Sequence, residues 1–238
     1  MKKSIFGLFA AVLVMAATLK ASAQDASQQT RNVSGYSKIG IGGPFKTRII
    51  MGDKEGVVLN IDADYIDKVE TVVENGALKV QFKKSTFNWS QSYNIKTANV
   101  TIYAKSLSGL ANSGSGSVTV EGAISSPDFA LALSGSGSIN IPTVKATGEF
   151  KTTISGSGSI TIAGSAPSVS AVISGSGEIK AKEFSTQNAS VTISGSGNVY
   201  LKADKQINAT LVGSGSVFYS GNAQVNSHKV GSGTVQKM

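Results

Sequence analysis

A Gly-Ser-Gly tripeptide recurs seven times in the second half of the chain, beginning at Gly114, Gly135, Gly156, Gly175, Gly195, Gly213 and Gly231. Successive copies lie 21, 21, 19, 20, 18 and 18 residues apart. Each is set between apolar alternating segments, as from Ile154 to Ile160, not in one Gly/Ser tract. A motif returning at a near-constant step is the signature of a solenoid, in which one repeat cannot bury its apolar face until a neighbour stacks on it.

The alternation runs through the tripeptide itself. Phe150, Thr152, Ile154, Gly156, Gly158, Ile160 and Ile162 occupy every second position, with Ser155, Ser157 and Ser159 between them. The same phase holds from Phe129 to Ile141, Val169 to Ile179 and Ala189 to Leu201. Strict alternation predicts strands with one buried face. The glycines then fall in the inward phase: Gly114 and Gly116, Gly135 and Gly137, Gly156 and Gly158, Gly175 and Gly177, Gly195 and Gly197, Gly213 and Gly215, Gly231 and Gly233. We expect a corner at each motif, where the chain folds from one sheet to the next and the inside of the bend has no room for a β-carbon. The serines point outward and are expected to stack about 4.8 Å apart. One ladder is Ser134, Ser155, Ser174 and Ser194; the other is Ser136, Ser157, Ser176 and Ser196. Variable polar turns, such as 145–148, 163–167, 183–187 and 203–205, are expected at the opposite edge. The expected fold is an all-β, two-sheet solenoid of about seven GSG-marked coils, each with two strands.

The first half lacks the motif but keeps the β pattern. Val57–Ile61, Val69–Val73, Leu78–Phe82 and Ala98–Tyr103 alternate, and Asn75-Gly76 is a hairpin turn signal. These strands are expected to continue or cap the stack. Residues 24–35 are polar and expected to be disordered, and 36–238 to form one domain, with an N-terminal β part over 36–107 and repeats over 108–238. Near the end, Lys229 takes an inward position and Val230 replaces the usual serine. Residues 221–238 are therefore expected to be a cap or an edge covered by a partner.

Lys2 and Lys3, an apolar run from Ile5 to Leu19, and Ala21-Ser22-Ala23 before Gln24 predict a signal peptide over 1–23. Export to the periplasm, the outer membrane or the exterior of a Gram-negative cell follows, with no membrane span after cleavage. Removing Lys2, Lys3 and Lys20 leaves 19 basic against 14 acidic residues, with no Lys/Arg run, so nucleic acid is not an expected partner. The chain has no cysteine, which excludes disulfides, cysteine nucleophiles and thiolate metal sites.

Catalytic constellations are hard to find. His228 is the only histidine, so no serine has a histidine-based triad to join. The SGSGS segments lack the strand-to-helix setting that a nucleophile elbow needs. Asp62, Asp64 and Asp67 cluster; on an extended strand Asp62 and Asp64 would share a face, either as a calcium or general-acid site or as a solvated strand end. No catalytic residue, metal or cofactor is expected. Phe87, Trp89 and Tyr93, flanked by Lys83, Lys84 and Lys96, are the candidate contact residues. They could stack on sugar rings or dock a protein, or else form a lid over the core. The serine ladders could meet a periodic surface such as ice or crystalline polysaccharide, or simply hydrogen-bond along the ladder.

A signal peptide, the region from Val57 to Asp64, the segment from Val69 to Val80, Val100-Thr-Ile-Tyr103 and the Ile-Ser-Gly-Ser-Gly-Ser-Ile array together resemble a family. It is the bacterial putative auto-transporter adhesin family with a head GIN domain, formerly a domain of unknown function. The resemblance spans about 36–238. It implies a two-sheet β-superhelix, related in architecture to right-handed pectin-lyase-type helices, and a non-enzymatic cell-adhesion role with a glycan or a host or matrix protein as partner. A homo-oligomer is compatible with it. The chain departs from an autotransporter in having no room for a membrane-spanning barrel or a trimerising stalk. A polysaccharide-lyase-like protein and a structural envelope protein are the alternatives.

Overall fold

The computed structural model describes residues 26–83 and 95–238. The expected signal peptide, and Lys84, Phe87, Trp89 and Tyr93, lie outside the described residues.

The alternating segments form strands almost throughout. The chain opens with β1 (Ala26–Arg31), β2 (Lys38–Gly42), β3 (Lys46–Met51) and β4 (Gly56–Asp62). One helical turn, α1 (Ala63–Ile66), leads to the hairpin β5 (Val69–Glu74) and β6 (Ala77–Phe82). Asn75 and Gly76 close it with φ of 50° and 71°, as a primed two-residue turn requires. Next come β7 (Ala98–Ala104), β8 (Gly109–Ser113), β9 (Ser117–Glu121), β10 (Ile124–Ser126), β11 (Phe129–Gly135), β12 (Ser138–Ala146) and β13 (Glu149–Gly156). Three long strands follow: β14 (Ser159–Gly175), β15 (Glu178–Gly195) and β16 (Asn198–Gly213). The chain ends with β17 (Ser216–Ser220), β18 (Gln224–Val230) and β19 (Thr234–Lys237).

Strands entering a corner stack into a leading sheet. Its order is β5, β6, β2, β8, β11, β13, the second halves of β14, β15 and β16, then β18. Strands leaving a corner form a trailing sheet, ordered β1, β4, β7, β3, β9, then the first parts of β12, β14, β15 and β16, then β17 and β19. All pairings from coil to coil are parallel, so the fold is a β-solenoid, and its seven GSG corners bound six complete turns. Inward residues form apolar columns along the stack. One runs Leu133, Ile154, Ile173, Ile193 and Leu211, none more than 1% exposed.

The N-terminal part continues the stack, but out of sequence order. The unit β2–β3 turns at Gly42-Gly43 as a GSG corner does: Gly43 N donates to Ser113 O at 2.9 Å, and Gly116 N donates to Gly43 O at 3.2 Å. This unit lies between β6–β7 on one side and β8–β9 on the other. Beyond β7 the stack is closed by antiparallel strands, with β4 on β7 and β1 on β4. Residues 26–31, expected to be disordered, are this outer strand. The composition is polar because only alternate side chains are half-buried, and the backbone hydrogen bonds to β4 hold the segment.

The far edge also differs from expectation. The predicted polar turns are a short third ladder of Ile124–Ser126 and residues 144–146, 164–166, 184–186 and 202–203, reached through register shifts after Ile141, Thr161 and Ala181. Val144, Ala166, Phe184, Thr186 and Ala203 point inward and are buried. Phe184 packs on Phe150 at 5.0 Å, filling core space that Val169 and Ala189 leave in the Phe129–Phe150 column.

The corner itself works by two different restrictions. Gly158, the second glycine of its motif, is buried, and a β-carbon there would meet Leu133 Cδ2 and Gly137 O at 2.6 Å. That is the crowded inside of the bend. Gly156, the first, is only half-buried and has φ of +119°. Its β-carbon would meet Gly135 O of the preceding coil, so its constraint is backbone conformation and close stacking rather than the bend's interior.

Candidate ligand-binding face

The two sheets present different outer faces. On the leading sheet the outward column beside the corners is uncharged, while the pairs Lys79–Glu74 and Lys151–Glu149 lie farther back on the same face. Ser113, Ser134, Ser155, Ser174 and Ser194 stand in register, followed by Val212 and Val230, which are 48% and 56% exposed. Of the second expected ladder, Ser157, Ser176 and Ser196 donate backbone N–H groups to Gly135, Gly156 and Gly175 at 3.0–3.1 Å, so these serines follow the stack too. His228 lies exposed on this face beside Thr210.

The trailing sheet carries the larger polar and aromatic groups. One outward column runs Arg48, Thr119, Asn140, Thr161, Lys180, Tyr200 and Phe218. Tyr200 and Phe218 stack at 4.9 Å between ring centres and 13° between planes. Lys182, on the strand at the other side of Tyr200, places its ammonium 4.9 Å from the Tyr200 ring centre. Tyr200, partly exposed, borders a trough of about 470 Å³, floored by Thr161 and Ala163 and walled by Asn140 and Pro142 on one side and Lys180, Lys182 and Tyr200 on the other; Phe218 lies one strand beyond it. The register shift after Ala181 puts two consecutive residues, Lys182 and Glu183, outward at its rim. Lys180 is paired with Glu178 at 3.0 Å.

Further along this face Arg48 forks onto Glu121, donating from Nε and Nη2 at 2.8 Å each. This hydrogen bond holds the Glu121 carboxyl below its ordinary value and raises the guanidinium of Arg48. A second depression, of about 400 Å³, lies at the far edge and is lined by polar and small groups including Lys145, Ser165, Gln187 and Asp204.

The sequence candidates are placed as follows. Lys83 is tied to the hairpin base, donating from Nζ to Asp67 O at 2.9 Å and from its backbone N to Lys68 O at 2.8 Å. Its aromatic companions lie outside the described residues. Asp62 and Asp64 do not share a strand face, because α1 begins between them. Asp62 is fully buried, and its carboxylate accepts the backbone N–H groups of Lys96 at 2.7 Å and Thr97 at 3.0 Å. Asp67 Oδ1 accepts from Gln29 Nε2 at 2.9 Å. Asp62 and Asp67 are thus engaged in joining chain segments. Among the described residues no group of three or more metal-ligating side chains is assembled.

The Tyr200–Phe218 pair was open to sequence reasoning and missed by it. The two residues are 18 apart, the step from Gly195 to Gly213, so one coil places them side by side. The trough was not open to it, since it depends on the register shifts at the far edge.

A model of the family described as putative auto-transporter adhesin, head GIN domain, matches residues 35–223. No curated protein matches the chain. Three solved structures are similar over nearly all of their length. A putative adhesin from Bacteroides fragilis is 20% identical, covering 91% of this chain and 98% of that one, with a TM-score of 0.81. A putative lipid binding protein from Parabacteroides distasonis is 24% identical, covering 90% and 97%, with a TM-score of 0.72. A putative adhesin from Parabacteroides merdae is 19% identical, covering 90% and 96%, with a TM-score of 0.67. At these identities the likeness is one of fold. The family match extends over most of the sequence, and the chain belongs to the putative auto-transporter adhesin family with a head GIN domain.

Proposed function

We propose that the chain is a non-enzymatic, exported adhesion module of the cell envelope that binds a glycan on the outer face of its trailing sheet. The observation that carries this reading is the stacked Tyr200–Phe218 pair beside the trough. Adjacent aromatic rings give apolar surface and a phenolic hydroxyl to a sugar ring. Residues on paired strands lose little freedom on binding, so that surface is preorganised. The family description and the adhesin neighbours support a binding role. Export is supported by the basic and apolar N-terminal segment with its Ala21-Ser22-Ala23 site.

Two other readings are less favoured. A lyase-like enzyme calls for carboxylates gathered with a free base; the trough holds Glu178 and Glu183 with Lys180 and Lys182, but Glu178 is bound to Lys180 and Lys182 lies over the Tyr200 ring. One neighbour is called a lipid binding protein. In this chain the interior void among Phe150, Thr152, Phe184 and their neighbours is about 10 Å³, too small for an acyl chain.

The test is an array of glycans and matrix proteins probed with the purified chain and with a Tyr200→Ala, Phe218→Ala double variant. Saturable glycan binding lost in the double variant supports the reading. Glycan binding that survives both substitutions, or binding confined to matrix proteins, refutes it.

A further inference from the structure

The charges around the trough are not balanced in the same way. The ion pairs among the described residues are Arg48–Glu121, Lys79–Glu74, Lys151–Glu149 and Lys180–Glu178. Lys182 is in none of them. Its ammonium is instead held over the Tyr200 ring, on the side away from Phe218. An ammonium over an aromatic face keeps its full charge and its N–H donors. It is therefore a cation at the rim of the trough, in no ion pair and resting against an aromatic ring.

We infer that this trough selects glycans that carry carboxylates, such as polyuronates, with the sugar carboxylate on Lys182 and the sugar ring in the trough against the exposed edge of Tyr200, which Phe218 backs from the far side. The inference rests on the glycan-binding reading above and names the class of sugar. A carboxylate can accept from Lys182 without dislodging it from the ring, and a charge-assisted hydrogen bond is the strongest polar contact the rim offers. Asn140 and Thr161 stand nearby for neutral hydroxyls. Glu183 at the same rim is an acidic competitor that weakens the hold of Lys182 on a carboxylate. The positive balance of the chain draws such a polymer toward it.

The experiment uses the full mature chain with polygalacturonate, the same polymer fully methyl-esterified, and chitosan, with affinity read by calorimetry at several salt concentrations. Polygalacturonate should bind and weaken with added salt, and the ester should bind at least about tenfold more weakly. Lys182→Ala should erase that difference, Lys182→Arg should retain it, and Glu183→Gln should strengthen polygalacturonate binding. Melting curves confirm that these exposed substitutions leave the fold intact. Equal binding of the acid and its ester, both lost in Tyr200→Ala, overturns the carboxylate inference and leaves the glycan reading standing. Preference for chitosan, or a Lys182→Ala variant that still favours the acid, overturns it as well. Binding of none of the three polymers overturns it too, and the glycan reading then stands or falls by its own array.

Discussion

A β-carbon on Gly156 would lie 2.6 Å from the carbonyl oxygen of Gly135, one coil below. The two glycines face each other across the stack, and each motif repeats the relationship with the one before it. Gly156→Val therefore forces a disfavoured φ and an overlap with backbone, and should cost about 2 kcal/mol or more. Ser157 next to it is exposed, and Ser157→Ala should stay within about 0.5 kcal/mol of the parent. Urea unfolding of the two variants checks this, and equal midpoints would refute the account of the corner.

Asp62 binds the chain where it re-enters the stack at β7. Asp62→Ala leaves the N–H groups of Lys96 and Thr97 without their acceptor inside the protein and should cost about 2–4 kcal/mol. Asp62→Asn keeps one acceptor and should cost less. Calcium should not change the melting temperature of the parent; a rise on adding it would restore the metal reading of the acidic cluster.

Lys229 stands one coil beyond Leu211, at an inward position of the last strand of the leading sheet. A charge at an inward site makes that edge a poor template for another strand. Lys229→Leu should promote self-association, read as a higher sedimentation coefficient that rises with protein concentration. A sedimentation coefficient unchanged from the parent would show that the edge is guarded by something else.

Stability should also fall in alkali. The Tyr36 hydroxyl accepts from Gly56 N at 3.1 Å and donates to Tyr103 O, and burial pushes its pKa above the ordinary value. A group that holds its proton more tightly when folded gives stability that is intact below its unfolded pKa, about 10, and lost as pH rises through the folded value. Unfolding midpoints should therefore hold to about pH 9 and decline above 10. Tyr36→Phe should lower stability at neutral pH by about 1–3 kcal/mol and flatten the alkaline decline. A variant as steep as the parent above pH 10 would assign the decline to other tyrosines.

The regular part of this protein was legible because each coil repeats one local rule. Ile154, Gly158 and Ile160 announce an inward face by position alone, and Ser155 an outward one. The far edge was not legible, because Phe184 lies in a segment whose polar neighbours look like a turn and only the register shift after Ala181 turns it inward. Asp62 misled for a similar reason: proximity to Asp64 in sequence suggested a shared face, while its partners, Lys96 and Thr97, lie more than thirty residues away. Of the ligand face, the Tyr200–Phe218 pair follows from the 18-residue step, but the position of Lys182 over the ring depends on a bulge.

The placement of β2–β3 between β6–β7 and β8–β9 separates the order in which the chain is delivered from the order in which it can be assembled. A chain emerging from the ribosome presents Lys38–Met51 early, yet the strands that flank this segment end only at Glu121. Early arrivals must therefore wait with both edges open, and pairing over such sequence distances is slow. For that interval the newly delivered segment is a target for holding factors and for proteolysis, until the later strands close around it.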